Sequence, residues 1–332
     1  MNLQQRIDLL IQTGRYILSG DPEWTSAKLE ASQKNGWFIP KFIDIASNNI
    51  AGSFLSKAAL DEWASRYRIP SENPDPKKIG VVMAGNIPLV GFHDFLAVFI
   101  TGHEIIIKPS SKDEVLLKHL ISKWATWAPE TTHLVSFAAM LKGCDAYITT
   151  GSNNTSRYFE YYFGKYPHII RGNRTSVAIL DGSESVEDLE KLADDVYLYF
   201  GLGCRNVTKL YVPYGYDFRP LLKAFNKYNY LADHQKYKNN YDYNLAILLL
   251  NSRYYMSNES ILLTGNDSIF SPISQLNYEY YLDHEQVEKL LKGNESLQCI
   301  VGKKYIAFGQ AQHPSLDDFA DGVNTLHFLM NL

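Results

Sequence analysis

From Met1 to about residue 70 the apolar positions recur at helical spacing, and MNLQQRIDLLIQTGRYIL predicts an amphipathic first helix interrupted by Arg6 and Asp8. The polar, proline-rich stretch Ser71–Lys78 (SENPDPKK) breaks that period and reads as a linker. From Ile79 short β-branched runs alternate with helical segments: strand IGVVMA, a helix from about Pro88, strand EIIIK, a helix from about Lys112, strand HLVSFA, a helical turn, and strand AYITT. This alternation predicts a parallel sheet with helices on its faces, the pattern of a dinucleotide domain. A second unit opens near Val177, where VAIL reads as a strand, SVEDLEKLADDVYLYF as a helix capped by Ser185, and VTKLYVP as another strand. Cys204 falls in the turn between that helix and that strand. The Tyr- and Asn-rich segment from about Asn226 to Tyr255 holds LAILLL, which reads as a strand core. The predicted fold class is α/β, with one domain over residues 1–176, completed by 306–332, and a second over 177–305 that carries Cys204.

Composition narrows the partners. At 332 residues, 45% apolar and 20% charged, the chain is long enough for two globular domains. A net charge of -4 gives no bulk electrostatic reason to bind nucleic acid or an anionic membrane, so a small-molecule partner is expected. Cys144, Cys204 and Cys299 are odd in number and far apart, with no CxxC pair, which argues against a disulfide scaffold and against a zinc site. His168 and His313 have no partner spacing that suggests a metal site or a triad. The most apolar stretch, Ile87–Ile100, is too short to span a bilayer and carries His93 and Asp94, so it reads as a buried helix. No basic leader followed by an apolar block opens the chain, and the expected location is cytoplasmic.

Four short segments are candidates for chemistry, and each also has an ordinary structural reading. In Gly201-Leu202-Gly203-Cys204-Arg205-Asn206 two glycines allow close backbone approach to a ligand, so a substrate carbonyl could reach the thiol; most such cysteines are simply small and buried. Asn206 also stands where a G-x-G-x-x-G fingerprint needs its third glycine. Gly85-Asn86-Ile87-Pro88 follows the first strand, where an amide either points into the crevice at the strand ends or caps a helix with Pro88 in its first turn. Lys108-Pro109-Ser110 ends the second strand, where a lysine suits a ribose carrying a 2′-phosphate or is merely solvated. Thr150-Gly151-Ser152 enters a helix whose N–H groups either face a phosphate or need only a cap.

Taken in order, Asn86-x-Pro88-Leu89, Lys108-Pro109-Ser110, Thr150-Gly151-Ser152 and a cysteine after Gly-x-Gly resemble the aldehyde dehydrogenase superfamily. Within it the chain looks most like the acyl-CoA reductase branch, which includes the fatty-acid reductase of bacterial luminescence. Gly151–Leu180 carries much of that closer likeness, and Ile269-Phe270-Ser271-Pro272 looks like the Phe-Gly-Pro segment that follows the catalytic cysteine. The likeness covers about residues 70 to 330. It implies an aldehyde dehydrogenase-like fold, with a helical N-terminus, a Rossmann-like cofactor domain and a catalytic domain. It also implies Cys204 as nucleophile, Asn86 as oxyanion donor, and Gly85, Lys108, Ser110, Gly151 and Ser152 as cofactor contacts.

Departures from the pattern set the expected direction. Hydrolytic members have Glu-Leu-Gly-Gly-Lys where this chain reads Ile170-Arg171-Gly172-Asn173-Arg174, so Ile170 replaces the water-activating glutamate. A thioacyl-enzyme without that base resists water. Ser268 replaces a ribose-binding glutamate, which favours NADPH, with NADH as the alternative and no metal. Arg171, Arg174 and Arg205 are candidates for phosphate contacts or for surface ion pairs. The expectation is reduction of a long-chain fatty acyl thioester, acyl-CoA or an acyl group on a carrier or acyltransferase protein, to the aldehyde by a chain that is a candidate homo-oligomer. The rivals are NAD(P)-dependent oxidation of an aldehyde to the acid, with Glu184 or Glu187 as substitute base, and a non-catalytic nucleotide-binding member of the same fold.

Overall fold

A computed structural model describes residues 1–332, the side chain of Asn153 excepted. The chain divides into two compact units, Met1–Asn173 with Pro314–Leu332, and Arg174–His313.

The first unit begins with four helices: α1 (Leu3–Leu18), α2 (Pro22–Lys34), α3 (Pro40–Asn49) and α4 (Lys57–Arg66). Their starts follow local rules. Asn2 and Gln5 form a reciprocal cap on α1, and Asp21 followed by Pro22 opens α2. Five strands follow, β1 (Lys78–Val82), β2 (Glu104–Lys108), β3 (Val135–Phe137), β4 (Ala146–Thr150) and β5 (His168–Arg171), interleaved with α5 (Phe92–Ile100), α6 (Val115–Trp127) and α7 (Asn153–Phe163). The strand order is β3-β2-β1-β4-β5 and every pairing is parallel. A single apolar core joins the strands to the helices, with α5 almost wholly buried and Phe99 against Trp124 at 4.5 Å between ring centres.

The second unit carries β6 (Thr175–Ile179), α8 (Val186–Tyr197), β7 (Val207–Pro213), α9 (Phe218–Phe225), α10 (Gln235–Leu250), β8 (Met256–Ser257), β9 (Leu262–Gly265), β10 (Gln275–Tyr281), α11 (His284–Leu291) and β11 (Leu297–Val301). Its sheet runs β11-β6-β7-β10-β9-β8, parallel except for the short β8–β9 edge. Ser185 caps α8, as the sequence suggests, and Asp188 completes the cap reciprocally. The chain then returns to the first unit, where α12 (Thr325–Met330) ends it.

Three expectations fail locally. The helix expected from about Pro88 begins only at Phe92, because Leu89 takes a left-handed conformation (φ 57°) held by an N–H bond to the Asp113 carboxylate. The stretch between β3 and β4 contains no helical turn. LAILLL is the end of helix α10 and not a strand: Tyr237, Tyr241, Asn244 and Leu248 are buried at helical spacing, and leucine is a good helix former.

Candidate active site

Cys204 sits, half-buried, in the connection from α8 to β7. The chain leaves α8 through three successive left-handed residues, Tyr199 (φ 56°), Phe200 (φ 58°) and Gly201 (φ 74°). Two of these are large non-glycine residues, a conformation that persists only where the surroundings enforce it. Both rings are buried, and Asn206 supplies the polar half of the enforcement. Its carboxamide has no solvent exposure; Oδ1 accepts from Gly203 N–H at 2.8 Å, while Nδ2 donates toward the carbonyls of Leu198 (2.9 Å), Asp195 (3.1 Å) and Val196 (3.3 Å). One side chain thus gathers carbonyls left over at the end of α8 and ties them to the residue before Cys204.

The other side of the turn is held by Ser176 on β6. Its hydroxyl donates to the Cys204 carbonyl at 3.0 Å and lies 3.0 Å from Cys299 Sγ. A hydroxyl has one proton, so toward Cys299 it acts as acceptor. Asp195, fully buried on α8, accepts from Gly309 N–H (2.7 Å) and Ala311 N–H (3.0 Å). Burial pushes its carboxyl up to about 7 even though both N–H groups favour the charged form.

In the first unit the candidates gather at the carboxyl ends of β1, β2 and β4. The chain runs β1, β2, β3 to one side and resumes with β4 on the other flank of β1, so the topological switch point lies between β1 and β4. Gly85 and Asn86 follow β1, Lys108 and Ser110 end β2, and Gly151 and Ser152 follow β4. Gly85 and Ser110 are in direct contact: a Cβ on Gly85 would lie 2.6 Å from Ser110 Oγ. The missing side chain of Gly85 lets the loops after β1 and β2 close on each other at the carboxyl ends of the strands, the region where open parallel sheets bind dinucleotides. Asn86 is exposed and does not cap α5, whose cap position is Gly91. Lys108 is exposed at its strand end.

Ser152 caps α7, accepting from Thr155 N–H at 3.4 Å, while Gly151 N–H donates to Arg171 O at 3.2 Å. Gly151 N–H is therefore spent within the sheet edge rather than turned to a ligand.

Asp113 closes this region. Its Oδ2 accepts from Leu89 N–H at 2.7 Å, its Oδ1 is buried without a hydrogen-bond partner, and burial pushes the carboxyl up to about 7. The sequence reading missed Asp113, Asp195, Ser176 and the stapling role of Asn206. Only Asp195 left a signal, an acid among the core positions Leu192, Ala193 and Val196 of α8.

Arg171 corrects both readings offered for it. It is 2% exposed and pairs through Nε and Nη2 with the Asp94 carboxylate at 3.1 and 2.8 Å, with further bonds to Thr325 Oγ1 and the Ala320 carbonyl. Burial alone would raise the Asp94 carboxyl, but the guanidinium holds it below its ordinary value. The residue ties β5, α5 and α12 together. Arg174 donates to the Leu297 carbonyl at 3.0 Å. Ile170 lies on β5. Among the described residues no cluster of His, Cys, Asp or Glu is suited to a metal, and no helix is long and apolar enough to cross a membrane.

Against known proteins, the family model described as acyl-CoA reductase (LuxC) matches residues 47–218. A long-chain acyl-protein thioester reductase of Aliivibrio fischeri is 24% identical over 242 residues, 64% of this chain and 50% of that protein. The chain therefore spans about half the length of the curated relative it matches. Among solved structures, a succinic semialdehyde dehydrogenase from Streptococcus pyogenes in complex with NADP+ superposes with a TM-score of 0.63 at 14% identity, covering 90% of this chain and 76% of that one. The indole-3-acetaldehyde dehydrogenase AldA of P. syringae, in complex with NAD+, gives 0.66 at 12% identity over 88% and 70%. These likenesses establish an aldehyde dehydrogenase-like fold.

Proposed function

The chain belongs to the acyl-CoA reductase (LuxC) family, and from that premise we propose that it reduces a long-chain fatty acyl thioester to the aldehyde through a thioacyl intermediate on Cys204. The observation that carries this reading is the Cys204 turn: a half-buried cysteine on main chain fixed from inside by the fully buried Asn206. Such fixing suits a nucleophile whose own N–H must be aimed before the reaction starts.

In the proposed sequence Cys204 Sγ, as thiolate, attacks the thioester carbonyl. The Cys204 N–H stabilises the oxyanion, a role that the resemblance also gives the Asn86 amide, and the carrier leaves as its thiol after taking a proton. A reduced nicotinamide supplies the hydride when bound, and we assign NADPH on the strength of Lys108. The thiohemiacetal on Cys204 then collapses, releasing aldehyde and the thiol. With Ile170 where hydrolytic relatives carry glutamate, no carboxylate at that position draws water onto the thioacyl group.

The test is a mass spectrum after incubation with long-chain acyl-CoA and no cofactor. The expected result is an acyl mass on the Cys204 peptide that vanishes in Cys204→Ala, with dinucleotide binding unchanged. An unmodified Cys204, or an acyl mass that persists in the variant, overturns the reading. Aldehyde plus NADP giving acid as the main product without added CoA would establish the oxidative alternative.

A further inference from the structure

Strand β6 runs beside the Cys204 turn, and its pairing is irregular on both sides of Ser176. Toward β7, Ser176 pairs with Val207 but Val177 already pairs with Lys209, so Thr208 is an extra residue on β7. Toward β11, Thr175 pairs with Leu297 and Val177 with Ile300, so Gln298 and Cys299 share the place opposite Ser176. Bulges are rare between parallel strands and gather next to active sites, where they re-aim a side chain. Here one flanks each side of a single, fully buried serine. Its hydroxyl donates to the Cys204 carbonyl at 3.0 Å, and the β11 bulge brings Cys299 Sγ to 3.0 Å on the acceptor side of the same oxygen. That placement leaves the hydroxyl's one proton to the Cys204 carbonyl.

We propose that Ser176 is a positioning residue that aims the Cys204 N–H and sulfur at the substrate carbonyl; the proposal rests on Cys204 as the acylated nucleophile. Three successive peptide groups run through the turn, and each is held. In the first, Gly203 N–H donates to the Asn206 carboxamide at 2.8 Å. In the second, the Gly203 carbonyl accepts from Asn206 N–H at 3.0 Å; a trans peptide is planar, so its own N–H, that of Cys204, points the opposite way. In the third, the Cys204 carbonyl accepts from Ser176. Asn206 holds the first two from within the turn, whereas Ser176 holds the third from a neighbouring strand. The serine bond is thus the one of these three that references Cys204 to the sheet. Without it, rotation about the Cys204 Cα–C bond swings the N–H and the sulfur together away from a bound carbonyl, and the geometry fixed before reaction is lost.

Acylation and alkylation of Cys204 on the full chain, both read by mass on the Cys204 peptide, separate aim from folding. Attack on a thioester needs the oxyanion donor in place, whereas alkylation by iodoacetamide develops no oxyanion. Ser176→Ala is expected to slow acylation by long-chain acyl-CoA about tenfold, the share of one neutral hydrogen bond. The fall is expected in the limiting rate and not in the acyl-CoA concentration that half-saturates it, while the iodoacetamide rate changes by less than about twofold. Ser176→Thr, which keeps the hydroxyl on a strand that suits a branched side chain, is expected to recover most of the acylation rate. Equal acylation in the wild type and Ser176→Ala overturns the proposal. So does a parallel fall in acylation and alkylation, which would make the serine structural only, or a threonine variant no faster than the alanine one. A wild-type Cys204 that takes no acyl mass overturns the nucleophile reading itself, and the role of Ser176 falls with it.

Discussion

The turn that carries Asn86 and the turn that carries Cys204 meet one structural demand in different ways. Each follows or precedes a parallel strand, each contains a large residue in left-handed conformation, Leu89 in one and Tyr199 with Phe200 in the other, and in each a buried polar side chain binds the main chain of the left-handed stretch or its flank. In the first unit the pin is a carboxylate, Asp113; in the second it is a carboxamide, Asn206. A carboxamide has donors and acceptors, so it can gather helix-end carbonyls and an N–H at once without carrying charge. A carboxylate only accepts, and its buried form titrates near neutrality. The Cys204 turn is therefore held by a group indifferent to pH, and the Asn86 turn by one that is not.

Removing the pin of the Cys204 turn is expected to have the largest effect. Asn206→Ala strands the Gly203 N–H and up to three carbonyls in a buried site. At about 1–3 kcal/mol for each unsatisfied group, the loss is on the order of 5 kcal/mol, seen as a lower urea midpoint. The Cys204 alkylation rate should move to that of an unstructured thiol. A midpoint shift below about 1 kcal/mol would show that the buried rings hold the turn without the carboxamide.

Asp113 separates the two pins by pH. Its folded pKa, about 7, lies above the ordinary value of 3.8. The folded state therefore holds the proton more tightly, and this contribution to stability is full below about pH 4, falls as pH rises, and is gone above about pH 7. The whole span corresponds to about 4 kcal/mol. Asp113→Asn should flatten the stability profile between pH 4 and 7 by that share, as read by urea unfolding at a series of pH values. Asp195, raised to about 7 in the second unit, keeps a similar slope until it too is replaced by Asn. An unchanged profile in both variants would mean that neither carboxyl titrates late.

Asn86→Ala distinguishes pinning from chemistry. Asn86 is exposed, so little stability should be lost. On the proposed mechanism the acylation of Cys204 slows by about a hundredfold or more, or about 3 kcal/mol, the usual cost of one oxyanion donor. A stability loss with an unchanged acylation rate would reverse the roles of Asn86 and Asn206.

How much of this is legible in sequence depends on whether the controlling contact is local. Strands β1 to β4, β6 and β7, the cap at Ser185 and the position of Cys204 between α8 and β7 follow from runs and periods within a few residues, and the structure has them there. The late start of α5 is not legible, because it depends on Asp113, more than twenty residues downstream of Leu89. Asn206 is visible only as a glycine missing from a fingerprint, since its partners in α8 are set by the fold. LAILLL misleads for another reason: apolar residues on two faces of one helix erase the periodicity that identifies a helix.

Lys108 is the mildest way to divide the two units, since it concerns cofactor choice and leaves both pins intact. It stands exposed at the carboxyl end of β2, where dinucleotide folds commonly place an acid on the ribose hydroxyls. A cation there favours a 2′-phosphate, but through water and salt, so its contribution is that of a surface pair. Lys108→Ala should lower the preference for NADPH over NADH by up to about fivefold, ~1 kcal/mol, and added salt should shrink the difference further. Acylation of Cys204 without cofactor should not change. If the preference survives the substitution, the phosphate is read elsewhere; if acylation falls with it, Lys108 does more than select the cofactor.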